Sequence, residues 1–499
     1  MSSWLSPKEM LEVAPAERVA FRAPVPTQVV SNGEYNPLPQ TDKQRRVQAR
    51  IAELADAYGT KLAMGRREFL RTASGMAAAF LAMNQVHGTL FEVSEAEVAD
   101  PEAAAQRAEG LARQYIFDDQ VHFVRDDYQH ERLLDLGRFA SQQWNPAMLK
   151  ERGIEIGRYK FENFIKEVFL DSDTKVALLS GAPFDDPKMW LLSNDQMART
   201  RELINRIAGS RRLLCHAVFT PGTDGWMEDV DHAIEKLKPD SWKGYTVGDP
   251  LEPSKFPWRL DDEKLVYPFY EKIRKAGITT VCIHKGLLPL DYERSFRGVW
   301  RYAMVDDLPK AAKDWPDLNF VIYHAALRPF LELPEAEGAE FERTGYIRWV
   351  SDLAAIPQRY GVKNVYAEIG TAFANTVVTN PRLAAGMLGT LIKEMGADHV
   401  VWGTDSVWYG SPQWQIEALR RLEVPQDLQK KHGFVPLGAA DGPVKSAILW
   451  DNGAKFYGLK KHAAYGTPIP RDAMDQMKQE YKTSGIGRSN AAYGYVCVQ

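Results

Sequence analysis

Four apolar stretches in the second half of the chain each end in an ionisable residue: Cys282-Ile283-His284, Ile322-Tyr323-His324, Tyr366-Ala367-Glu368 and Trp402-Gly403-Thr404-Asp405. The four ionisable residues are separated by 40, 44 and 37 residues, about the length of one strand plus one crossover helix. Parallel strands in a closed barrel all end at the same face. The spacing therefore predicts that these side chains meet at one site.

Eight segments are predicted as strands, and most of them are nearly continuous apolar runs, as expected of parallel strands covered on both faces. They span residues 115–123, 175–180, 213–219, 242–247, 279–284, 319–324, 364–368 and 399–405. Helical periodicity fills the gaps, and Gly277, Gly361 and Gly396 stand where helix C-caps are expected. Lys243 and Gly244 interrupt the fourth segment. The pattern predicts a distorted (β/α)8 TIM barrel.

The regions outside the barrel differ in composition. Residues 1–60 are rich in proline and polar residues and are predicted to form an N-terminal arm, followed by a helical segment over 61–112. The barrel is expected over 113–460 and a C-terminal tail over 461–499. The connections after the first and eighth strands, 124–174 and 406–443, are too long for simple crossovers and are predicted to roof a pocket.

The composition is that of an ordinary soluble enzyme. The 499 residues are 45% hydrophobic and 26% charged, with a net charge of −4, so no basic excess indicates a nucleic-acid partner. The three cysteines are scattered and form neither a disulfide framework nor a CxxC motif. No apolar run reaches the length of about 18 residues that a membrane span needs.

One segment bears on localisation. Gly65-Arg66-Arg67-Glu68-Phe69-Leu70-Arg71 precedes an alanine-rich stretch over 72–83 and is similar to a twin-arginine export signal. It begins at residue 65 instead of at the start of the chain. The alternative is an amphipathic helix packed on the barrel or on a partner subunit. We expect a cytoplasmic protein, with periplasmic export as the open alternative.

The first predicted strand reads Phe117-Asp118-Asp119-Gln120-Val121-His122, in which Asp118, Gln120 and His122 share one face. Together with His284, His324 and Asp405, this strand resembles the amidohydrolase superfamily. Within it, the chain is similar to the amidohydrolase-related group that includes aminocarboxymuconate-semialdehyde and resorcylate decarboxylases. The resemblance covers roughly residues 113–460, including the closing segment over 448–459.

The resemblance implies a divalent-metal centre. The family's first strand normally carries D-x-H-x-H, and here Gln120 stands in place of the first histidine. Position by position, His122, His284 and Asp405 match metal ligands, and His324 matches a histidine that acts beside the metal as acid or base. Two histidines and one aspartate are the minimum for a catalytic zinc site with an open position, and the amide oxygen of Gln120 can complete the shell. The expected ion is zinc, with manganese as an alternative. The resemblance also implies a homodimer, for which residues 1–60 are a plausible clasp.

Such a site supports more than one reaction. A metal lowers the pKa of bound water to about 7, and His324 or Asp405 can accept its proton, which predicts a hydrolase of a small organic substrate, cyclic or carboxylate-bearing. The alternative is a non-oxidative decarboxylase, in which His324 donates the proton that replaces departing CO2. A third interpretation, based on Gln120 alone, is a barrel without metal or catalysis that serves as a binding or assembly protein.

Five further residues are candidates for supporting roles. Glu368 is interpreted as a carboxylate that orients a ligand or has a structural role, and Asp118 as one that orients a ligand or caps a turn. Lys285, Arg328 and Trp408 follow strand ends, so they are candidates for binding an anionic or aromatic substrate. For Lys285 and Arg328, a surface position is the equal alternative.

Overall fold

The computed structural model describes residues 13–16, 21–35, 37–125, 160–250, 252–288, 292–328, 334–459, 472–484 and 494–498. Most of the first predicted roof connection, residues 126–159, lies outside these ranges.

Eight parallel strands form one sheet in which each strand pairs with the next along the chain. We number them β1 to β8: Phe117–Val121, Val176–Leu179, Leu213–Val218, Ser241–Tyr245, Thr280–His284, Asn319–Tyr323, Val365–Glu368 and Val400–Val401. Backbone hydrogen bonds between β1 and the residues that follow β8 join the two edges of the sheet. The Asp119 backbone N–H donates to the Trp402 carbonyl at 3.0 Å, and the Asp405 backbone N–H donates to the Gln120 carbonyl at 2.9 Å. The predicted (β/α)8 barrel is confirmed.

Helices surround the barrel and form the extensions on either side of it. The α-helices of the described residues are Asp42–Lys61, Arg66–Phe69, Ala73–His87, Glu95–Ala99, Pro101–Leu111, Phe161–Phe164, Asn194–Ala208, Trp226–His232, Tyr267–Ala276, Tyr292–Ser295, Leu308–Asp314, Pro334–Thr344, Val350–Tyr360, Ala372–Thr379, Pro381–Met395, Gln413–Arg421, Gln426–His432, Pro443–Ser446, Asn452–Phe456 and Ala473–Thr483. Gly277 and Gly361 cap their helices in the left-handed conformation, as predicted. Gly396 also has a positive φ, but its ψ of 148° is extended.

The fourth strand forms despite the two residues that interrupt its apolar pattern. The Lys243 side chain is fully buried inside the barrel, with its ammonium 3.5 Å from the centroid of the Tyr323 ring, a cation–π contact that offsets part of its lost hydration. Gly244 is required by packing, since a Cβ there would lie 2.8 Å from the rings of Phe219 and Trp258. Both residues therefore belong to the strand.

The N-terminal arm lies against the barrel. Thr41 caps the helix Asp42–Lys61, and the twin-arginine-like stretch forms the helix Arg66–Phe69 with Phe69 fully buried. A short strand, Val13–Pro15, pairs antiparallel with the buried strand Tyr495–Cys497 of the C-terminal tail. None of the helices in the described part of the chain is long and apolar enough to cross a membrane.

Candidate metal centre

Strained backbone marks the carboxyl ends of the last three strands. Several non-glycine residues there have positive φ angles, among them His324 at 62°, Thr371 at 54° and Asp405 at 58°. Such conformations cost about 1–3 kcal/mol each and concentrate at functional sites. The backbone therefore points to the same end of the barrel as the sequence pattern does.

Two histidines from neighbouring strands meet at this end. His284 ends β5 and His324 follows β6, and His324 Nε2 lies 3.0 Å from His284 Nδ1. His324 Nδ1 lies 2.9 Å from the Gly370 carbonyl, so it carries the hydrogen and leaves a lone pair on Nε2. Burial lowers the pKa of His324 to about 4 and that of His284 well below its usual value. Both rings are therefore neutral near pH 7, the form that binds metals.

A third ligating group comes from the N-terminal arm. A Glu34 carboxylate oxygen lies 3.8 Å from His284 Nδ1, and one ligating atom from each of Glu34, His284 and His324 lies within 4.8 Å of the others. Burial, followed by the negative charge of Asp405, raises the pKa of Glu34 to about 8. A cation at this point would counter both effects.

A second cluster surrounds Asp405. His122 Nε2 and Gln120 Nε2 lie 3.0 and 2.9 Å from its Oδ1. Asn32 Nδ2 donates to its Oδ2 at 3.2 Å, and the Thr371 hydroxyl donates to the same oxygen. Burial raises the pKa of Asp405, but hydrogen bonds from His122 and Thr371 act against burial, and the pKa stays below its ordinary value. Asp405 is therefore an ionised carboxylate.

The structure divides the predicted ligands between these two clusters. His122 and Asp405 contact each other, whereas His284 joins His324 and Glu34. Gln120 presents its nitrogen to Asp405, and its oxygen has no hydrogen-bond partner among the described residues. Of the expected set of His122, His284, Asp405 and Gln120, His284 belongs to the group whose ligand atoms lie within 4.8 Å of one another. The physical reason is that the arm inserts a carboxylate beside His284, while Asp405 is saturated by its own donors.

The converging residues fit a divalent ion. Metal–nitrogen bonds of about 2.0–2.1 Å place neighbouring ligand atoms about 3 Å apart, which is the separation between His284 and His324. Two neutral imidazoles and one carboxylate are a donor set of catalytic zinc sites, and manganese accepts the same groups. Sequence reasoning missed Glu34 because it lies in a polar arm without periodicity, where no local signal separates it from a surface glutamate.

Two other acidic residues hold the backbone of the strand ends. Glu368 accepts hydrogen bonds from the backbone N–H groups of His324, at 3.1 Å, and Gly370. Asp118 accepts from the Thr404 backbone at 2.9 Å and from its hydroxyl at 2.6 Å. Both carboxylates therefore fix the turns that aim His324 and Asp405.

Strict alternation does not hold along β1. The pairing register shifts between Asp118 and Val121, as at a β-bulge. The Asp119 side chain is also buried and accepts a hydrogen bond from Tyr457 at 3.2 Å. Asp118, Gln120 and His122 contact Thr404 and Asp405, which follow β8.

The three candidates for substrate binding differ in position. Lys285 is fully buried and forms an ion pair with Asp307 at 2.8 Å, so it is neither a surface residue nor open to a substrate. Arg328 pairs with Glu337 at 3.0 Å. The Trp408 ring centroid lies 5.8 Å from that of His122. Of the three, Trp408 is the one in contact with the residues described above.

A comparison with protein families bears on the second half of the chain. Residues 221–459 match the sequence model of the family described as Amidohydrolase. The resemblance inferred from the strand ends is confirmed for this stretch, and the match supports an enzyme. No curated protein matches the chain.

Solved structures of similar fold include a TIM-barrel protein and two decarboxylases, all of low sequence identity. An uncharacterised TIM-barrel protein from Bordetella bronchiseptica is 14% identical, with 69% of this chain and 98% of that chain covered and a TM-score of 0.42. A 2,6-dihydroxybenzoate decarboxylase from Rhizobium is 12% identical, with 69% and 99% covered and a TM-score of 0.41. A 5-carboxyvanillate decarboxylase from Sphingomonas paucimobilis is 13% identical, with 70% and 100% covered and a TM-score of 0.38. Likeness at this level carries no substrate or reaction over to this chain.

Proposed function

We propose that the chain is a metal-dependent hydrolase of a small organic substrate, cyclic or carboxylate-bearing, with one divalent ion held by Glu34, His284 and His324. The observation that carries this proposal is the convergence of two neutral imidazoles and a carboxylate at the mouth of an amidohydrolase-class barrel. Zinc is the first choice of ion and manganese the second.

The neighbouring cluster supplies a base. When bound, the ion acts as a Lewis acid and eases deprotonation of water. Asp405 Oδ1 accepts the hydrogen on His122 Nε2, which places the lone pair on His122 Nδ1. That nitrogen is buried and has no hydrogen-bond partner among the described residues, so it is free to take a proton from the reacting water. Gln120, by donating to Asp405, holds the pair in place.

A second candidate function is decarboxylation, favoured by Lys243. Its Nζ is buried in the barrel without a hydrogen-bond partner among the described residues, and burial lowers its pKa to about 8. A fully buried ammonium group without a hydrogen-bonded carboxylate in the described part of the chain suits a substrate carboxylate. An assay in H₂¹⁸O distinguishes the two reactions. Hydrolysis places ¹⁸O in the product of a cyclic amide or ester, whereas decarboxylation releases CO2 from an aromatic or muconate-like acid.

Metal content of purified variants tests the site itself. We expect one zinc or manganese per wild-type chain and at least about a tenfold loss of affinity in His284→Ala and His324→Ala, since each removes a ligand. His399→Ala is the matched control, because His399 lies before β8 at the opposite end of the barrel. Equal metal content in all four proteins, or none in any, would refute the proposed site.

Location and assembly are further parts of this proposal. Arg66 forms a bidentate ion pair with Asp56, and Phe69 and Leu70 are buried, so recognition of the stretch as an export signal would require local unfolding. We therefore propose a cytoplasmic protein. A homodimer is proposed from the family resemblance, and sedimentation of the full-length protein would measure it.

A further inference from the structure

We infer that residues 28–35, here called the strap, dock onto the barrel in a manner coupled to the ion, so that cation binding and strap closure stabilise each other. This inference rests on the proposed function, because it takes Glu34 as a ligand. It extends that function because the strap lies outside residues 221–459, the stretch that matches the family, and is inferred to move with the ion.

The strap is anchored at two places away from the ligands. Ser31 and Tyr495 exchange backbone hydrogen bonds of 2.7 and 3.2 Å, which tie the strap to the C-terminal strand. The Val30 backbone N–H donates to Asn375 Oδ1 at 3.2 Å. These contacts fix the start of the strap and leave its second half to be held by side chains.

Tyr35 provides the anchor of the second half. Its buried hydroxyl donates to the Val30 carbonyl at 2.6 Å and lies 3.0 Å from the Tyr409 hydroxyl. Tyr409 lies 2.9 Å from the Thr371 hydroxyl, which donates to Asp405. A chain of hydroxyl groups therefore joins strap docking to the carboxylate cluster.

Between the anchors, a tight turn presents the carboxylate. The Glu34 N–H donates to Asn32 Oδ1 at 3.0 Å, and Gly33 has a φ of 101°, which favours glycine. Asn32 Nδ2 donates to both Glu34, at 2.8 Å, and Asp405, at 3.2 Å. One neutral amide thus separates two carboxylates.

This arrangement sets the sign of the coupling. Docking places the Glu34 carboxyl group beside the two imidazoles and joins it to Asp405 through Asn32, so a divalent cation beside His284 and His324 favours the docked strap. The barrel alone offers two nitrogens to this group, and the docked strap adds the oxygen. Because linkage is reciprocal, the ion favours strap docking by the same factor by which docking raises the affinity for the ion.

The test uses full-length protein stripped of metal and titrated with Mn²⁺ or Zn²⁺ alone. Amide hydrogen exchange of peptides covering residues 28–35 is measured with the metal affinity. In wild type, we expect the ion to slow exchange in the strap by between about 5- and 150-fold. Glu34→Gln should lose this slowing and bind metal at least about tenfold more weakly, while Tyr35→Phe should both speed exchange and weaken metal binding.

Two variants serve as controls. Glu53→Gln changes an exposed glutamate on the same arm, and Tyr360→Phe removes an exposed hydroxyl, and both should behave as wild type. The coupling would be overturned if wild type and Glu34→Gln bound metal equally well and the metal left strap exchange unchanged. If binding still depended on His284 in that case, a metal site would remain. Absence of metal binding in wild type would overturn both the coupling and the proposed function.

Discussion

At the residue scale, Asp405 is the most constrained side chain of the site. Four donors converge on its two oxygens, from His122, Gln120, Asn32 and Thr371. Hydrogen bonds to a carboxylate favour its charged form, and these donors explain why a buried aspartate stays ionised. The charge in turn fixes the tautomer of His122.

Asp405→Asn tests that role. Asparagine has one accepting oxygen where aspartate has two, so its NH2 group must face some of the donors that the carboxylate accepts. His122 then loses the charged acceptor that orients it. We expect turnover to fall by about 10²- to 10⁴-fold, with a smaller loss of metal affinity than in His284→Ala. Turnover within a factor of two or three of wild type would contradict the assignment, with metal content measured alongside.

At the element scale, the helix Ala73–His87 packs so closely on the twin-arginine-like stretch that no side chain fits at Gly75. A Cβ on Gly75 would contact the Phe69 carbonyl and lie 2.7 Å from Leu70 Cα. Backbone atoms cannot rotate away as a side chain would. The stretch is thus a packed connection between the arm's helices.

Gly75→Ala is therefore expected to destabilise the protein by about 1–3 kcal/mol through overpacking. Gly110→Ala is the matched control, since Gly110 is exposed in the helix Pro101–Leu111 and a Cβ there meets nothing within 4 Å. That change should stabilise the helix by about 0.5–1 kcal/mol. Urea unfolding measures the stability of both variants. Equal midpoints would show that the helix and the stretch are not tightly packed at Gly75.

At the scale of the whole molecule, a buried ion network joins the helices before the barrel to the helix Gln413–Arg421. Glu417 bonds Arg107 at 2.9 Å, Arg420 at 2.9 Å and Arg421 at 3.1 Å. Arg421 continues to Glu97 in the preceding helical segment. Burial opposes ionisation of Glu417, but the three arginines outweigh it and lower its pKa to about 2.

Glu417→Gln should cost about 3–5 kcal/mol at pH 7, because it leaves buried arginines without their shared partner. A lowered folded pKa means that the contribution is present above the ordinary pKa of 4.5 and is lost as the pH falls from there towards about 2. The urea midpoints of wild type and variant should converge over that range. Glu271→Gln is the control, because Glu271 belongs to an exposed ion pair with Arg274, and it should unfold at the same urea concentration as wild type. A Glu417→Gln variant as stable as wild type at pH 7 would contradict the account.

The sequence predicted the barrel because its signal is repeated. Most of the eight strands are local apolar runs, and His284, His324 and Asp405 mark strand ends that topology brings to one face. Glu34 and Asn32 were out of reach, since their positions depend on the fold of an irregular arm and on pairing with Tyr495, at the far end of the chain. The burial of Lys285 with Asp307 is likewise a tertiary contact without a local pattern.

The most direct test of the central claim is anomalous diffraction from crystals of the full-length protein loaded with Mn²⁺ or Zn²⁺. The account predicts one strong peak about 2.0–2.2 Å from a Glu34 carboxylate oxygen, His284 Nδ1 and His324 Nε2. A peak coordinated by His122 and Asp405 with Glu34 turned away, or no peak beside any of these residues, would contradict it.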